Sequence, residues 1–158
     1  MSLADRLAGK HYRYPDHYEV EREKIREYAN AVKAVDPASH DLRAAAGLGY
    51  DGLVAPLTSI SVFGHMAISG FFEYCGVEVS DAQIVQVDQK LEFLQPIKEG
   101  DRLYCDVSVE SIRRAHGTDI IMTKQVVTNH AGDIVQKTYT TLAGRAGDGD
   151  KGFTDGVA

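Results

Sequence analysis

The stretch LVAPLTSISVFGHMAISGFF, Leu53 to Phe72, is twenty residues without an Asp, Glu, Lys or Arg, about the length of a membrane span. What dilutes it decides the fold: Pro56, His65, four hydroxyl residues (Thr58, Ser59, Ser61, Ser69) and the glycines Gly64 and Gly70. That composition predicts a buried helix of a globular protein rather than a span. Proline at 56 suits a first helical turn and Gly76 suits a stop, so the helix is expected from Ala55 to Gly76. Leu57, Ile60, Gly64, Ala67, Ile68, Phe71 and Cys75 fall along one face, while Val62, Phe63 and Met66 add apolar bulk elsewhere. A helix about 30 Å long and apolar nearly all round must be wrapped by other structure. Its small residues would let strands or a ligand approach closely.

The wrapping is written downstream, where the apolar period falls to two. Val85, Val87, Leu91 and Phe93 alternate before Pro96, and Leu103, Cys105, Val107 and Val109 alternate after Gly100. Two more strands are expected over Thr118–Val127 and Ile134–Ala143, joined by a hairpin turn at NHAGD, Asn129 to Asp133. Upstream, Ile25, Tyr28, Ala29, Val32 and Val35 recur at helical spacing, predicting a surface helix over Glu21–Val35 that Pro37 ends. Asp41 is placed to cap a short helical turn to Ala46. One long helix followed by an antiparallel meander predicts an α+β hot-dog domain, a curled sheet around a central helix, over residues 1–146. The glycine- and aspartate-rich 147–158 is expected to be a mobile tail. An open sheet leaves edges, so dimerisation is expected.

Composition bounds the function. The 158 residues fit one domain with a sizeable core, and a formal net charge of −6 disfavours nucleic acid or an anionic membrane as partner. Cys75 and Cys105 form no CxxC, and no histidine cluster has metal-ligand spacing, so no metal or organic cofactor is expected. MSLADRLAGK lacks the apolar core of a signal peptide, which points to the cytoplasm.

GKHYRYPDHYEVEREKIREYA (Gly9–Ala29), AQIVQVDQ (Ala82–Gln89), GDRLYCDVSV (Gly100–Val109), AHGTDIIMTKQVVTN (Ala115–Asn129) and QKTYTTLAGRAG (Gln136–Gly147) carry a resemblance across nearly the whole chain. It resembles the A subunits (HadA type) of mycobacterial-type (3R)-hydroxyacyl-ACP dehydratases, MaoC-like hot-dog proteins. The resemblance implies dehydration of a 3-hydroxyacyl thioester on acyl carrier protein, in the type II fatty acid elongation that leads to mycolic acids. It implies a heterodimer in which a catalytic MaoC-like B subunit supplies the acid/base residues and the A subunit shapes an acyl tunnel. A homodimer, when the chain is expressed alone, is the alternative assembly. A carrier-docking rim at Arg113 or Arg114 is suggested on charge grounds alone.

That chemistry requires a base for the α-proton, an acid for the departing hydroxyl and donors for the thioester oxygen. In active relatives an Asp, a Pro three residues on and a His two further on supply the pair, and His-Gly opens the next helix. In AVDPASHD, Ala34 to Asp41, the positions set by Pro37 hold Ala34 and Ser39. Asp36 and His40 are present but out of frame, and one residue of shift moves an attachment point about 3.8 Å. Ala55-Pro56 stands where His-Gly is expected, and proline has no N–H to donate. Asp36 and His40 are therefore read as a degenerate pair, a helix-ending residue and a loop histidine. The alternative is an active homodimeric enoyl-thioester hydratase using both. A third reading, an acyl-binding or thioesterase-like protein, lacks a placed nucleophile or carboxylate for hydrolysis. The tunnel candidates are Ser61, Gly64, His65 and Ile68 on the helix and Gln86 on a strand. His65 is read first as a hydrogen-bonded core histidine and second as a polar group on the tunnel wall. Gln86 bonds core backbone or faces a ligand.

Overall fold

The computed structural model describes residues 6–79, 84–145 and 153–155. Two short strands, β1 (His11–Arg13) and β2 (Tyr18–Glu19), precede helix α1 (Arg22–Ala31), a 3-10 turn at Pro37–Ser39 and helix α2 (Leu42–Gly47). A second 3-10 turn, Leu57–Ser59, runs straight into the central helix α3 (Ile60–Tyr74). Strands β3 (Val77–Val79), β4 (Ile84–Phe93), β5 (Arg102–Ala115), β6 (Thr118–Thr128), β7 (Ile134–Arg145) and β8 (Phe153–Asp155) follow. The main sheet is antiparallel in the order β1-β5-β6-β7-β4, with β2 also on β5, while β3 and β8 pair separately. This is the α+β hot-dog arrangement, a curled sheet around α3. Among the described residues no helix is long and apolar enough to cross a membrane. Of the segment 147–158 only Phe153–Asp155 falls within the described residues.

Local chemistry sets the ends of these elements. Asp41 caps α2, its Oδ1 accepting the Ala44 N–H at 2.9 Å. Gly76 follows α3 with φ +67°, a left-handed conformation that glycine adopts without strain. In the β6–β7 hairpin, Asn129 Oδ1 accepts the N–H groups of Ala131 and Asp133, each at 3.0 Å, the side chain standing in for a turn carbonyl.

The first helix ends earlier than its apolar period predicts. α1 stops at Ala31, leaving Val32 48% and Val35 89% exposed. The stop is a Schellman motif: Lys33 N–H donates to Asn30 O at 3.2 Å and Ala34 N–H to Ala29 O at 2.8 Å. Lys33 takes the left-handed position, φ +56°, usually given to glycine. Pro37 restrains only Asp36, so the backbone bonds at 33 and 34 end the helix first. The strands at His11–Arg13 and Tyr18–Glu19 were not legible in the sequence, being three and two residues long.

α3 is held to one side of the sheet. Phe63 packs edge-on against Tyr14 and flat against Tyr18, with ring centroids 5.4 and 5.3 Å apart. Further along, Tyr12 sits against Phe71 and Tyr74, and a Cβ at Gly70 would lie 2.6 Å from the Tyr12 hydroxyl. Only glycine permits that approach. The helix therefore lies over β1, β2 and β5, with Leu103, Cys105 and Val107 of β5 buried beneath it. The β4 edge stays uncovered, and Val85, Val87 and Phe93 on it are 58%, 55% and 45% exposed.

Candidate functional site

Because α3 leans toward β5, an open cleft of about 870 Å³ runs between its other side and strands β4, β6 and β7. Its helical wall is Ile60, Ser61, Gly64, His65, Ile68, Ser69, Phe72 and Glu73. The sheet wall is Gln86, Gln89 and Leu91 of β4, Gln125 of β6, and Thr138, Thr140 and Leu142 of β7. The inner end, at the first turn of α3, is formed by buried Ile60, Gly64, Gln125 and Thr138. At the last turn, exposed Ser69, Glu73 and Gly76 rim a floor of buried Phe72 and Val77.

All five tunnel candidates, Ser61, Gly64, His65, Ile68 and Gln86, line this one cleft. His65 is exposed, which corrects its first reading as a core histidine. It lies on the solvent-facing flank of a helix whose buried face is used by Ile60, Phe63, Ala67 and Phe71. Gly64 has a definite packing role: the Gln125 side chain lies across it, Nε2 donating to the Gly64 carbonyl at 2.8 Å. A Cβ there would stand 3.0 Å from Gln125 Oε1.

The polar sheet wall was missed in the sequence, although it left a signal. Thr123 and Gln125 alternate in phase with Ile121 and Val127, so they occupy inward positions that a purely packed core would fill with aliphatics. Register carries the pattern across the sheet, aligning Val107, Gln125, Thr138 and Leu91 in one row. In the neighbouring row Gln136 is 1% exposed, and its Nε2 meets no acceptor among the described residues.

The loop AVDPASHD is built differently. Asp36 Oδ1 accepts the Ala38 N–H at 3.0 Å, capping the 3-10 turn. His40 Nε2 donates to the Ala34 carbonyl at 2.8 Å, a bond in which only the ring can be the donor. Among the described residues no hydrogen bond joins Asp36 to His40, and neither lines the cleft. Ser39 is 3% exposed, and its Oγ donates to Val54 O at 2.7 Å. At the two positions where an oxyanion donor is expected, the Ala55 N–H is bonded to Ile97 O at 2.8 Å and Pro56 has none. Nearby, Arg22 donates to Glu99, whose other oxygen accepts the Leu53 N–H. The Arg22 hydrogen bond is the main cause holding the Glu99 carboxyl below its ordinary range. Arg114 pairs with Asp119 at the β5–β6 turn. Among the described residues no three His, Cys, Asp or Glu side chains gather as metal ligands.

The FAS1-like, dehydratase domain region family matches residues 6–138. A UPF0336 protein of Mycolicibacterium paratuberculosis is 63% identical over 159 residues, spanning 100% of both chains. A UPF0336 protein of Mycobacterium tuberculosis is 60% identical over 158 residues, again across 100% of both. Among solved structures, a chain of the C-terminally truncated HadBC (3R-hydroxyacyl-ACP dehydratase) complex from Mycobacterium tuberculosis superposes with TM-score 0.77 at 41% identity. That match covers 85% of this chain and 95% of the other. A MaoC-like dehydratase gives TM-score 0.82 at 39% identity, covering 93% of this chain and 44% of that one. The chain belongs to the FAS1-like dehydratase region family, as one of its UPF0336 proteins, on a MaoC-like hot-dog fold.

Proposed function

We propose that this chain is the non-catalytic, acyl-chain-binding subunit of a heterodimeric (3R)-hydroxyacyl-ACP dehydratase in type II fatty acid elongation toward mycolic acids. One observation carries the reading: cleft and acid/base loop are uncoupled. The cleft along α3 is open, whereas Asp36 and His40 are each bonded to local backbone. Dehydration needs a base to take the α-proton and an acid to protonate the leaving hydroxyl, both poised at one substrate carbon pair. A carboxylate engaged as a turn cap and an imidazole holding a carbonyl six residues back are poised for neither. The acid, the base and the oxyanion donors then come from a MaoC-like partner, and this subunit contributes walls for the acyl chain.

The uncovered β4 edge supports a partner of the same fold. β4 pairs only with β7 among the described strands, and its outward side is a row of free backbone groups beside Val85 and Val87. The HadBC match is itself a chain of such a complex. Hydration of a trans-2-enoyl thioester tests the proposal, assayed with the chain alone and again with a MaoC-like dehydratase subunit. Turnover that needs the partner, and whose preference for long chains needs this chain, is the expected result. Robust turnover by the chain alone, abolished by His40→Ala, would overturn it in favour of a self-sufficient hydratase.

A further inference from the structure

A second cavity, of about 330 Å³, opens on the other flank of α3's first turn, between that turn, α1 and β5. Its deep walls are apolar: Val20, Ile25, Ala55, Phe63, Ile97 and Leu103 are all less than 10% exposed. The polar lining groups sit at its rim: exposed Lys24, which donates to the Glu19 carbonyl, exposed Glu27, and half-buried Ser59 and Tyr28, the latter bonded to Thr58. Of all the lining residues, Ile60 alone is shared with the 870 Å³ cleft. It is 4% exposed and is the first residue of α3. At that position it forms part of the wall of both cavities.

We propose that the second cavity receives the far end of long acyl chains, and that Ile60 is the partition that sets how long a chain the subunit accepts. The inference rests on the acyl-binding reading above. The distance along α3 from Phe72 to Ile60 is twelve residues, about 18 Å, which an extended acyl chain of about fourteen carbons spans. A shorter chain ends inside the cleft. A longer one meets Ile60, and beyond that side chain lies an apolar chamber rather than packed core. An aliphatic partition in the first turn of a helix can change rotamer without breaking a backbone hydrogen bond, so passage needs no unfolding. The occupant is chemically specific: the chamber floor offers no charged group, so it takes alkyl and excludes a carboxylate or phosphate.

The test measures kcat/KM of the complex with its MaoC-like partner on 3-hydroxyacyl thioesters of 12 and 20 carbons. Ile60→Ala joins the two cavities and is expected to raise the ratio of long- to short-chain kcat/KM at least fivefold. Ile60→Phe closes the passage and is expected to lower it by a similar factor. Ala31→Phe fills the second cavity from the exposed end of α1, where no core is disturbed, and is expected to lower the ratio with wild-type Ile60 in place. An unchanged ratio in folded Ile60→Ala and Ala31→Phe complexes that still turn over the 12-carbon thioester overturns the partition while leaving the acyl-binding role intact. A wild-type complex no better than the partner alone at any length overturns the acyl-binding role, and the partition with it.

Discussion

Replacing Gly64 by leucine probes the cleft where Gln125 of the sheet wall bonds to the helix. The new Cβ would start 3.0 Å from Gln125 Oε1, the free end of a flexible side chain that can give by a few tenths of an ångström. Removing a glycine from a helix interior gains up to about 1 kcal/mol. Losing the Gln125–Gly64 hydrogen bond costs about the same, so the variant is expected to fold with stability near that of the wild type. The remaining three carbons of leucine would project into the cleft and deny a chain the inner segment from Gly64 to Ile60. That segment is four residues of helix, about 6 Å, or about five methylenes. At about 0.8 kcal/mol for each buried methylene, the loss is about 4 kcal/mol. In kcat/KM it is roughly a thousandfold for chains of fourteen carbons or more. Eight-carbon chains, which end before Gly64, are expected to be little affected. The assay is chain-length-resolved turnover by the complex, with circular dichroism to establish folding. A folded variant whose long-chain kcat/KM stays within threefold of the wild type would refute the cleft as acyl site.

Three further outcomes follow from chemistry away from the cleft. Lys33→Gly relieves left-handed strain in the α1 stop and is expected to stabilise by about 1 kcal/mol, raising Tm about 2–4 °C by calorimetry. The Cys105 thiol, fully buried, is pushed up to about 12 mainly by that burial. Alkylation of the folded protein at pH 8 should therefore stop at Cys75, and mass spectrometry should find Cys105 labelled only after unfolding. Glu99 has its pKa lowered from 4.5, chiefly by the Arg22 hydrogen bond. Its contribution to stability is thus present above pH 4.5 and is lost as pH falls through the lower, folded-state value. Chemical denaturation of Glu99→Gln beside wild type should show a stability difference that is constant near neutrality and shrinks in acid.

Much of this architecture was legible because its signals are periodic. The charge-free stretch Leu53–Phe72 read as a buried helix, and the segments Leu103–Val109 and Thr118–Val127 read as strands of a wrapping sheet. The tilt of α3 was not legible. It depends on Tyr12 and Tyr18, in strands of three and two residues, and on Tyr14 in the connection between them, all too short for any period to show. The face of β4 was misleading for a related reason: Val85, Val87 and Leu91 alternate in sequence as one face, but the register shift between Gln86 and Asp88 puts Gln86 and Leu91 on the cleft and leaves Val85 and Val87 exposed. Misplacing His65 in the core came from an apolar neighbourhood in sequence being taken for burial in space. Asp36 and His40 were legible as out of frame from Pro37 alone. The backbone atoms that hold them, Ala38 N and Ala34 O, emerge only from the folded turn.

The three N-terminal tyrosines act as shims. Their rings meet Phe63, Phe71 and Tyr74 of α3 on the side away from the cleft, so the seat of the helix, and with it the gap at the other edge, depends on side chains that no ligand in the cleft would touch. None of the three lines the cleft. Trimming one of them, Tyr14→Leu or Tyr12→Leu, removes a ring contact with α3 and would retune the bore from behind while every residue facing the ligand stayed the same. In a protein of this construction, substrate range can drift through the back wall with the binding surface untouched, and comparing cleft residues alone would miss it.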